Sequence, residues 1–250
     1  MYKKFIIIVL LISLVLLLTG CIIGNRNTTI NMVNGITGTG PMVTQDIEVA
    51  NFNTLEISGN FRVIFIQSPE PSLTVIMQEN LFEYFAPTVQ GSNLQITPHR
   101  GFNTTSANRP RLYVSAPYLT AVDFSGAVSA DGWDTIQGQR FTIEASGAVS
   151  LDLDIEVNNL SIEASGAVSL DLDLNVERLD LEISGAANAD LYGVANVINI
   201  YGFGAINLRA GNLQVESGSV ELSGASNASL STLENINVTT SGLARVREAS

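Results

Sequence analysis

The sequence predicts an all-β protein built as a right-handed parallel β-helix, a solenoid of coils of about 19 residues, preceded by a β-rich N-terminal segment. Three observations predict this fold: a tripeptide recurs at near-constant spacing, apolar and polar residues alternate within each repeat, and the composition suits strands. Charged residues make up only 14% of the 250 residues, while glycine occupies 21 positions. Few charges and many glycines are typical of strands joined at tight corners rather than of solvated helices.

The recurring tripeptide is Ser-Gly-Ala, and its glycine marks each repeat. The glycines are Gly126, Gly147, Gly166, Gly185, Gly204, Gly224 and Gly242, spaced by 21, 19, 19, 19, 20 and 18 residues. A unit of this length holds about three strands, so stacked units predict a β-helix. Most spacings are not multiples of six, which disfavours a left-handed hexapeptide helix, and the leucine spacing differs from that of leucine-rich repeats.

Apolar residues form columns when the repeats are aligned on the serine. They stand three positions before it and two, three and five positions after it, with polar residues between most of them. This alternation predicts strands with one buried face. The alanine two after the serine, such as Ala148 or Ala167, is counted among these apolar columns. The glycine is predicted at a corner that leaves no room for a side chain. The serine or asparagine four after the serine is predicted to form a hydrogen-bonding ladder.

Residues 46–250 are predicted to form one head domain. Within it, residues 46–118 are a non-repeating β-rich segment that leads into and caps the repeating coils of residues 119–250. A single helical turn is predicted from Glu79 to Phe85. These residues thus supply an end to the solenoid, whose terminal edge would otherwise be exposed.

The N-terminus predicts a lipoprotein of the bacterial cell envelope. Residues 1–20 have a short basic region and an apolar run from Phe5 to Leu18, shorter than the ~20 residues of a membrane-spanning helix, which predicts a signal peptide. The run ends in Leu18-Thr19-Gly20-Cys21, a lipobox-like sequence, so Cys21 is the predicted lipidation site. Acyl chains such as palmitate would anchor the protein to a bacterial membrane, facing outside the cytoplasm. Residues 21–45, rich in Asn, Thr and Gly, are predicted to be a flexible tether.

Composition excludes several function classes. The formal net charge is −12, with 12 basic and 24 acidic residues, so no basic face for nucleic acid is expected. One cysteine and one histidine leave no disulfide framework, no cysteine zinc site and few catalytic triads. No cofactor and no catalytic residues are therefore expected.

The acidic residues are in register along the repeats. At the interstrand spacing of ~4.8 Å, stacked like charges destabilise a sheet unless something offsets them. Asp152, Asp154, Asp171 and Asp173 form a candidate calcium patch, because calcium binds six to eight oxygen ligands. The alternative, a solvated acidic face, is the main expectation.

The aromatic residues Trp133, Phe141, Tyr192, Tyr201 and Phe203 are candidates to line a carbohydrate groove, although their scattered offsets argue against a platform.

The chain resembles the auto-transporter adhesin head domain family, also called the GIN domain. The resemblance covers residues 46–245 and rests on Phe52-x-x-Leu-x-Ile-Ser-Gly59, on Ala116-Pro117-Tyr118-Leu119 and on the Ser-Gly-Ala repeats. It implies a right-handed parallel β-helix and adhesion, and it transfers no catalytic or ligand residue. We therefore expect a non-enzymatic surface for binding or adhesion, with a glycan or surface protein as ligand. The alternatives are a polysaccharide-acting β-helix enzyme and an envelope signalling or scaffold accessory.

Overall fold

The structure of the protein is a computed structural model that describes residues 35–249. The fold is all-β, with 73% strand and 4% helix. The strands in the described range are β1 (Ile36–Thr37), β2 (Met42–Ile47), β3 (Thr54–Gln67), β4 (Ser72–Gln78), β5 (Thr88–Gln90), β6 (Asn93–Ile96), β7 (Phe102–Asn103), β8 (Arg111–Ala116), β9 (Ala121–Ala130), β10 (Ile136–Gly224), β11 (Asn227–Leu230), β12 (Ile236–Thr240) and β13 (Arg245–Glu248). Short 3-10 helices span Glu79–Tyr84 and Ser106–Asn108, and the first confirms the helical turn predicted there.

The repeats pair with one another in parallel. β9 pairs with β10 so that Gly126 lies beside Gly147, and β10 pairs with β11 so that Asn207 lies beside Asn227. β10 has 89 residues, far more than one straight strand holds. Within it, the backbone of Gly166 approaches that of Gly147, and Asn199 donates a hydrogen bond to Asp180 from 19 residues away. The chain of β10 therefore passes beside itself once per repeat.

The large sheet is mixed, which departs from the plainly parallel arrangement that the sequence predicts. β2 and β8 both pair antiparallel with β4, and β5 pairs antiparallel with β6. The last pair is a hairpin closed by Gly91-Ser92, and Gly91 has a φ of +63°. Two-residue connections permit only antiparallel neighbours, whereas the long repeats can return in parallel.

The repeat begins earlier than predicted. β3 pairs in parallel with β9 over ten residues, with Ser58 beside Ser125 and Gly59 beside Gly126. The prediction that residues 46–118 lack the repeat is therefore wrong for β3, which has Asn60 where later copies have alanine. Residues 68–120, which we call the excursion, lie in the chain between this first repeat and the second. They contain both 3-10 helices, the antiparallel pairs of β4 with β8 and of β5 with β6, and the parallel pairing of β6 and β8 with β3 on the edge away from β9.

One hydrophobic core runs from Phe52 to Leu230. The columns three before and three and five after the serine are buried as predicted, for example Ile143, Val149 and Leu151, except at Val238 of the last repeat, which is 41% exposed. At the N-terminal end, Phe61 packs edge-on against Phe85 and against a second phenylalanine, each with ring centroids 6.1 Å apart. Aromatic side chains of the excursion thus close the first repeat.

The repeat glycines adopt a backbone conformation that other residues avoid. All seven have positive φ, from +72° to +134°. A Cβ built on Gly147, Gly166 or Gly185 would lie 2.5 Å from the carbonyl oxygen of the preceding repeat's glycine. Both the torsion and the close approach require glycine, which confirms the predicted corner.

The head extends further toward the N-terminus than predicted. Residues 35–45, the end of the predicted tether, include β1, which pairs with β7, and most of β2, which pairs with β4. The predicted signal peptide, the rest of the tether and Cys21 lie outside the described residues. In residues 35–249, no helix has the length and hydropathy to cross a membrane.

Candidate functional site

An open groove crosses the repeats on their outer surface. We call it the outer groove; it encloses about 620 Å³. Its outward-facing side chains stand two and four positions after the repeat serine, and all except half-buried Asn207 are exposed: Ala148, Ala167, Ala186, Ala205, Ala225, Ser150, Ser169, Asn188, Asn207 and Asn227. Because neighbouring repeats are in register, like residues lie beside like residues. The groove therefore offers a narrow apolar strip next to a strip of hydroxyl and amide groups.

The alanine column is the main correction to the predicted core. Ala148, Ala167 and Ala186 are exposed, not buried. Buried positions lie at odd offsets from the serine and alanine lies at an even one, so strand alternation places it outside. Because alanine side chains are small, they protrude little from this face, and this leaves the space of the outer groove.

The serine and asparagine column only partly forms the predicted ladder. Asn207 donates to Asn188 at 3.4 Å, at the long end of hydrogen bonding. A shorter ladder, missed in the sequence, lies elsewhere on the repeats: Asn199 donates to Asp180 at 2.7 Å, and Ser219 is 3.1 Å from Asn199. The sequence feature that could have predicted this ladder is the spacing of its three polar residues, which are 19 and 20 positions apart.

A row of carboxylates borders the outer groove, six positions after the serine. We call Asp131, Asp152, Asp171 and Asp190 the carboxylate row. An arginine lies at each end: Arg62 binds both oxygens of Asp131 at 2.8 and 2.7 Å, and Arg209 binds both oxygens of Asp190 at 2.5 and 2.9 Å. In the middle, burial raises the pKa of Asp171, and the negative charges of Asp152 and Asp190 raise it further. The predicted in-register repulsion is thus present and is offset at the ends of the row.

The row has no built metal site. No group of three or more His, Cys, Asp or Glu side chains within residues 35–249 is arranged to hold a metal ion. The calcium patch of Asp152, Asp154, Asp171 and Asp173 therefore stays a hypothesis that only a measurement can decide. Asp154 and Asp173 lie one pleat further along the same strands, on the same exposed face.

A second acidic row lies on the other side of the repeat glycines. Asp123, Glu144, Glu163 and Glu182 line a smaller recess of about 310 Å³ together with the repeat serines. Burial raises the pKa of Asp123, and the neighbouring Glu56 raises it further. Glu56 itself accepts hydrogen bonds from two amide side chains of β6, at 2.9 and 2.8 Å. This end of the row is therefore fixed by the β5–β6 hairpin.

The aromatic candidates divide into core and surface residues. Phe141 is fully buried, and Trp133 donates from its indole nitrogen to the carbonyl oxygen of Val63 at 2.8 Å. Both are structural. Tyr201 and Phe203 are 50% and 69% exposed on the side of the second acidic row, and Tyr192 is exposed on another face. The structure thus does not bring the five predicted aromatics together.

The N-terminal end of the outer groove is occupied by an arginine of the excursion. Arg109 donates to the carbonyl oxygens of Ala127 and Phe61 at 2.6 and 2.7 Å and to the hydroxyl of Ser129 at 3.1 Å. Burial lowers the pKa of Arg109, while the nearby Asp131 raises it. Sequence reasoning missed these contacts, because Arg109 lies in a polar loop, 48 residues after Phe61 and 18 and 20 residues before Ala127 and Ser129.

The fold and these outer faces define an all-β repeat protein. The chain belongs to the family described as "Putative auto-transporter adhesin, head GIN domain", which matches residues 51–170 and 155–249. The family description names an adhesin, and this indicates a protein exposed at a surface. The family resemblance drawn from the repeats is thereby confirmed.

Solved structures of similar fold include proteins from Parabacteroides and Bacteroides species. A putative adhesin from Parabacteroides merdae is 18% identical with a TM-score of 0.69, and the match covers 86% of this chain and 99% of that one. A putative adhesin from Bacteroides fragilis is 17% identical with a TM-score of 0.66, covering 86% and 100%. A putative lipid binding protein from Parabacteroides distasonis is 17% identical with a TM-score of 0.68, covering 86% and 99%. At these identities the likeness concerns the fold, and none of the three descriptions names an enzyme. Among curated proteins none matches the chain.

Proposed function

We propose that the protein is a membrane-anchored extracytoplasmic lipoprotein that presents a non-enzymatic, right-handed parallel β-helix for binding or adhesion. The observation that carries this proposal is the outer groove, which is open, in register and lined by groups that bind rather than react. Hydroxyl, amide and carboxylate side chains next to a low apolar strip suit an extended glycan or a peptide of a surface protein. Membership of an adhesin-named family supports the same function.

The parallel β-helix is inferred from the pairing of the repeats. Every strand pair between β9, β10, β11 and β12 is parallel, and the offsets of 18 to 21 residues equal one repeat. A chain that returns in parallel after each repeat winds into a coil, and right-handed connections between parallel strands are the rule. The antiparallel pairs join the stack through β6 and β8, which pair in parallel with β3.

The binding function is tested with the purified full chain in detergent, on an array of glycans and extracellular matrix proteins. We expect at least one class to be retained, and retention to fall when Ala167 and Ala186 are replaced by Lys, because long charged side chains would fill the outer groove. The matched control replaces exposed Ser165 and Ser184 with Lys, which adds the same charge on the other side of the glycines. An array without hits, or equal losses in both variants, would argue against the groove as the binding surface.

Anchoring is tested through Cys21. The lipobox-like sequence Leu18-Thr19-Gly20-Cys21 supports lipidation at this cysteine. We expect Cys21→Ser to abolish incorporation of labelled palmitate and to shift the protein out of its usual membrane fraction. Unchanged acylation in the variant would show that the anchor assignment is wrong, whatever the head binds.

A further inference from the structure

The repeat of β9 lies beside the outer groove on its N-terminal side; we call it the first unit, and it shows how this surface binds a cation. The guanidinium of Arg109 reaches a backbone carbonyl oxygen of the alanine position, Ala127, at 2.6 Å and the hydroxyl of the polar position, Ser129, at 3.1 Å. The carboxylate of the same unit, Asp131, is held by a second arginine, because Arg62 binds both of its oxygens at 2.8 and 2.7 Å. Small residue, hydroxyl and carboxylate thus occupy positions two, four and six after the repeat serine.

The same three groups recur in the next two units without an arginine of the chain. β9 and β10 pair so that Ala148 lies beside Ala127 and Ser150 beside Ser129, and Asp152 follows two residues later. The following unit repeats the set as Ala167, Ser169 and Asp171. All six of these side chains are exposed. In the described part of the chain, the ion pairs of the carboxylate row are at its ends, at Asp131 and Asp190.

We infer that these two middle units bind an extended partner peptide through its arginine side chains, each guanidinium taking the position that Arg109 takes in the first unit. The inference deepens the proposed binding function and rests on it. In each unit the guanidinium donates to the serine hydroxyl, as Arg109 does in the first unit, and pairs with the aspartate, as Arg62 does there. The two sets are Ser150 with Asp152 and Ser169 with Asp171. A guanidinium suits the set better than an ammonium, because its planar fork reaches several acceptors at once.

Charge and spacing support this partner. The chain has twice as many acidic as basic residues, 24 against 12, and no lysine from residue 35 onward, so a basic peptide is drawn to it. Stacked strands are ~4.8 Å apart, and alternate residues of an extended peptide are ~6.6 Å apart. Long arginine side chains at alternate positions can therefore reach two neighbouring units. Two adjacent like charges in the middle of the row also gain from a shared cationic ligand, since Asp152 raises the pKa of Asp171.

The test is fluorescence anisotropy with the full chain in detergent and a labelled peptide of sequence Gly-Arg-Gly-Arg-Gly. We expect saturable binding that is at least about tenfold weaker for the double variant Asp152→Asn/Asp171→Asn. The peptide with citrulline, a neutral isostere of arginine, should bind as weakly, and the lysine peptide should bind less well than the arginine peptide. The control variant Glu163→Gln/Glu182→Gln removes the same charge on the other side of the glycines and should bind as the wild type does. Equal losses in the two double variants, or equal binding of the lysine peptide, would overturn the inference.

A second measurement tests the template itself. Arg109→Ala vacates the first unit, so ethylguanidinium at low millimolar concentration should raise the melting temperature of this variant and not that of the wild type. Ethylammonium at the same ionic strength should restore much less. Absence of this rescue would overturn the inferred cation site. Hits on the glycan and protein array without binding of the arginine peptide would also overturn it, while leaving the proposed binding function in place.

Discussion

Replacing Gly166 should destabilise the stacked repeats more than any nearby change of similar size. Its φ is +100°, and a Cβ would lie 2.5 Å from the carbonyl oxygen of Gly147 and 3.0 Å from its nitrogen. Such a torsion costs a non-glycine residue about 1–3 kcal/mol. The forced contact adds about 1–3 kcal/mol, because two backbones must separate. We therefore expect Gly166→Ala to lose at least about 2 kcal/mol, and Gly166→Val to lose more because it is branched at Cβ.

The assay is thermal unfolding followed by circular dichroism. For a domain of 150–250 residues, 1 kcal/mol lowers Tm by about 2–4 °C, so Gly166→Ala should lower it by at least about 4 °C. Gly132 provides a control for the torsion alone, since its φ is +67° and nothing lies within 4 Å of its would-be Cβ. Ala167→Val provides a control for side-chain size on the exposed face, and Asp171→Asn for a neighbouring polar change. If Gly166→Ala and Gly132→Ala lower Tm equally, or if Ala167→Val lowers it as much as Gly166→Ala, then the close approach of the glycine backbones is not the reason why glycine recurs at this position.

Three further predictions concern the charged and aromatic residues. Because the pKa of Asp171 is raised above 3.8 in the folded chain, the folded state binds this proton more tightly, and stability falls as the pH rises through the raised pKa. Asp171→Asn should therefore raise Tm at pH 7 and leave it unchanged near pH 3; an equal shift at both pH values would contradict the electrostatic cause. If the carboxylate row is only a solvated face, sodium chloride should raise Tm, and calcium and magnesium at matched ionic strength should act alike. A calcium-specific rise that Asp171→Asn removes would instead establish the cation patch. Trp133→Phe should lower Tm by about 2–6 °C through the lost hydrogen bond to Val63, measured by circular dichroism, and an unchanged Tm would show that the indole N–H contributes nothing.

The repeating half of the fold can be predicted from the sequence because the same pattern of apolar, polar and glycine positions recurs in successive repeats. Alternation and the glycine interval predict the buried columns, such as that of Ile143, and the corners at Gly147 and Gly166. The prediction that Ala148 is buried is wrong because alanine is small enough to occur on either face of a strand, so its apolar character does not indicate burial. The alternation of side chains along the strand indicates instead that Ala148 is exposed.

The parts that depend on long-range contacts could not be predicted from the sequence. β3 belongs to the stack through pairing with β9, yet a single copy with Asn60 in place of alanine gives little repeat signal. The antiparallel excursion depends on pairings such as β4 with β8, which no local period specifies. The candidate site shows the same division: the acidic columns were visible in the sequence, but Arg109 and Arg62 reach them from outside the regular repeats.

The excursion between β3 and β9 also affects the order in which the chain assembles. Contacts between successive repeats close segments of 19 residues, whereas contacts of the β3 repeat with residues around β9 close segments of 67. The longer closure costs about 1 kcal/mol more in chain entropy. Successive repeats of β10 can therefore nucleate and extend on their own, as in other linear arrays. β3 is synthesised before them, but it gains β9, its partner in the next repeat, only after residues 68–120 have been made, so the N-terminal end of the stack is expected to be completed late in folding.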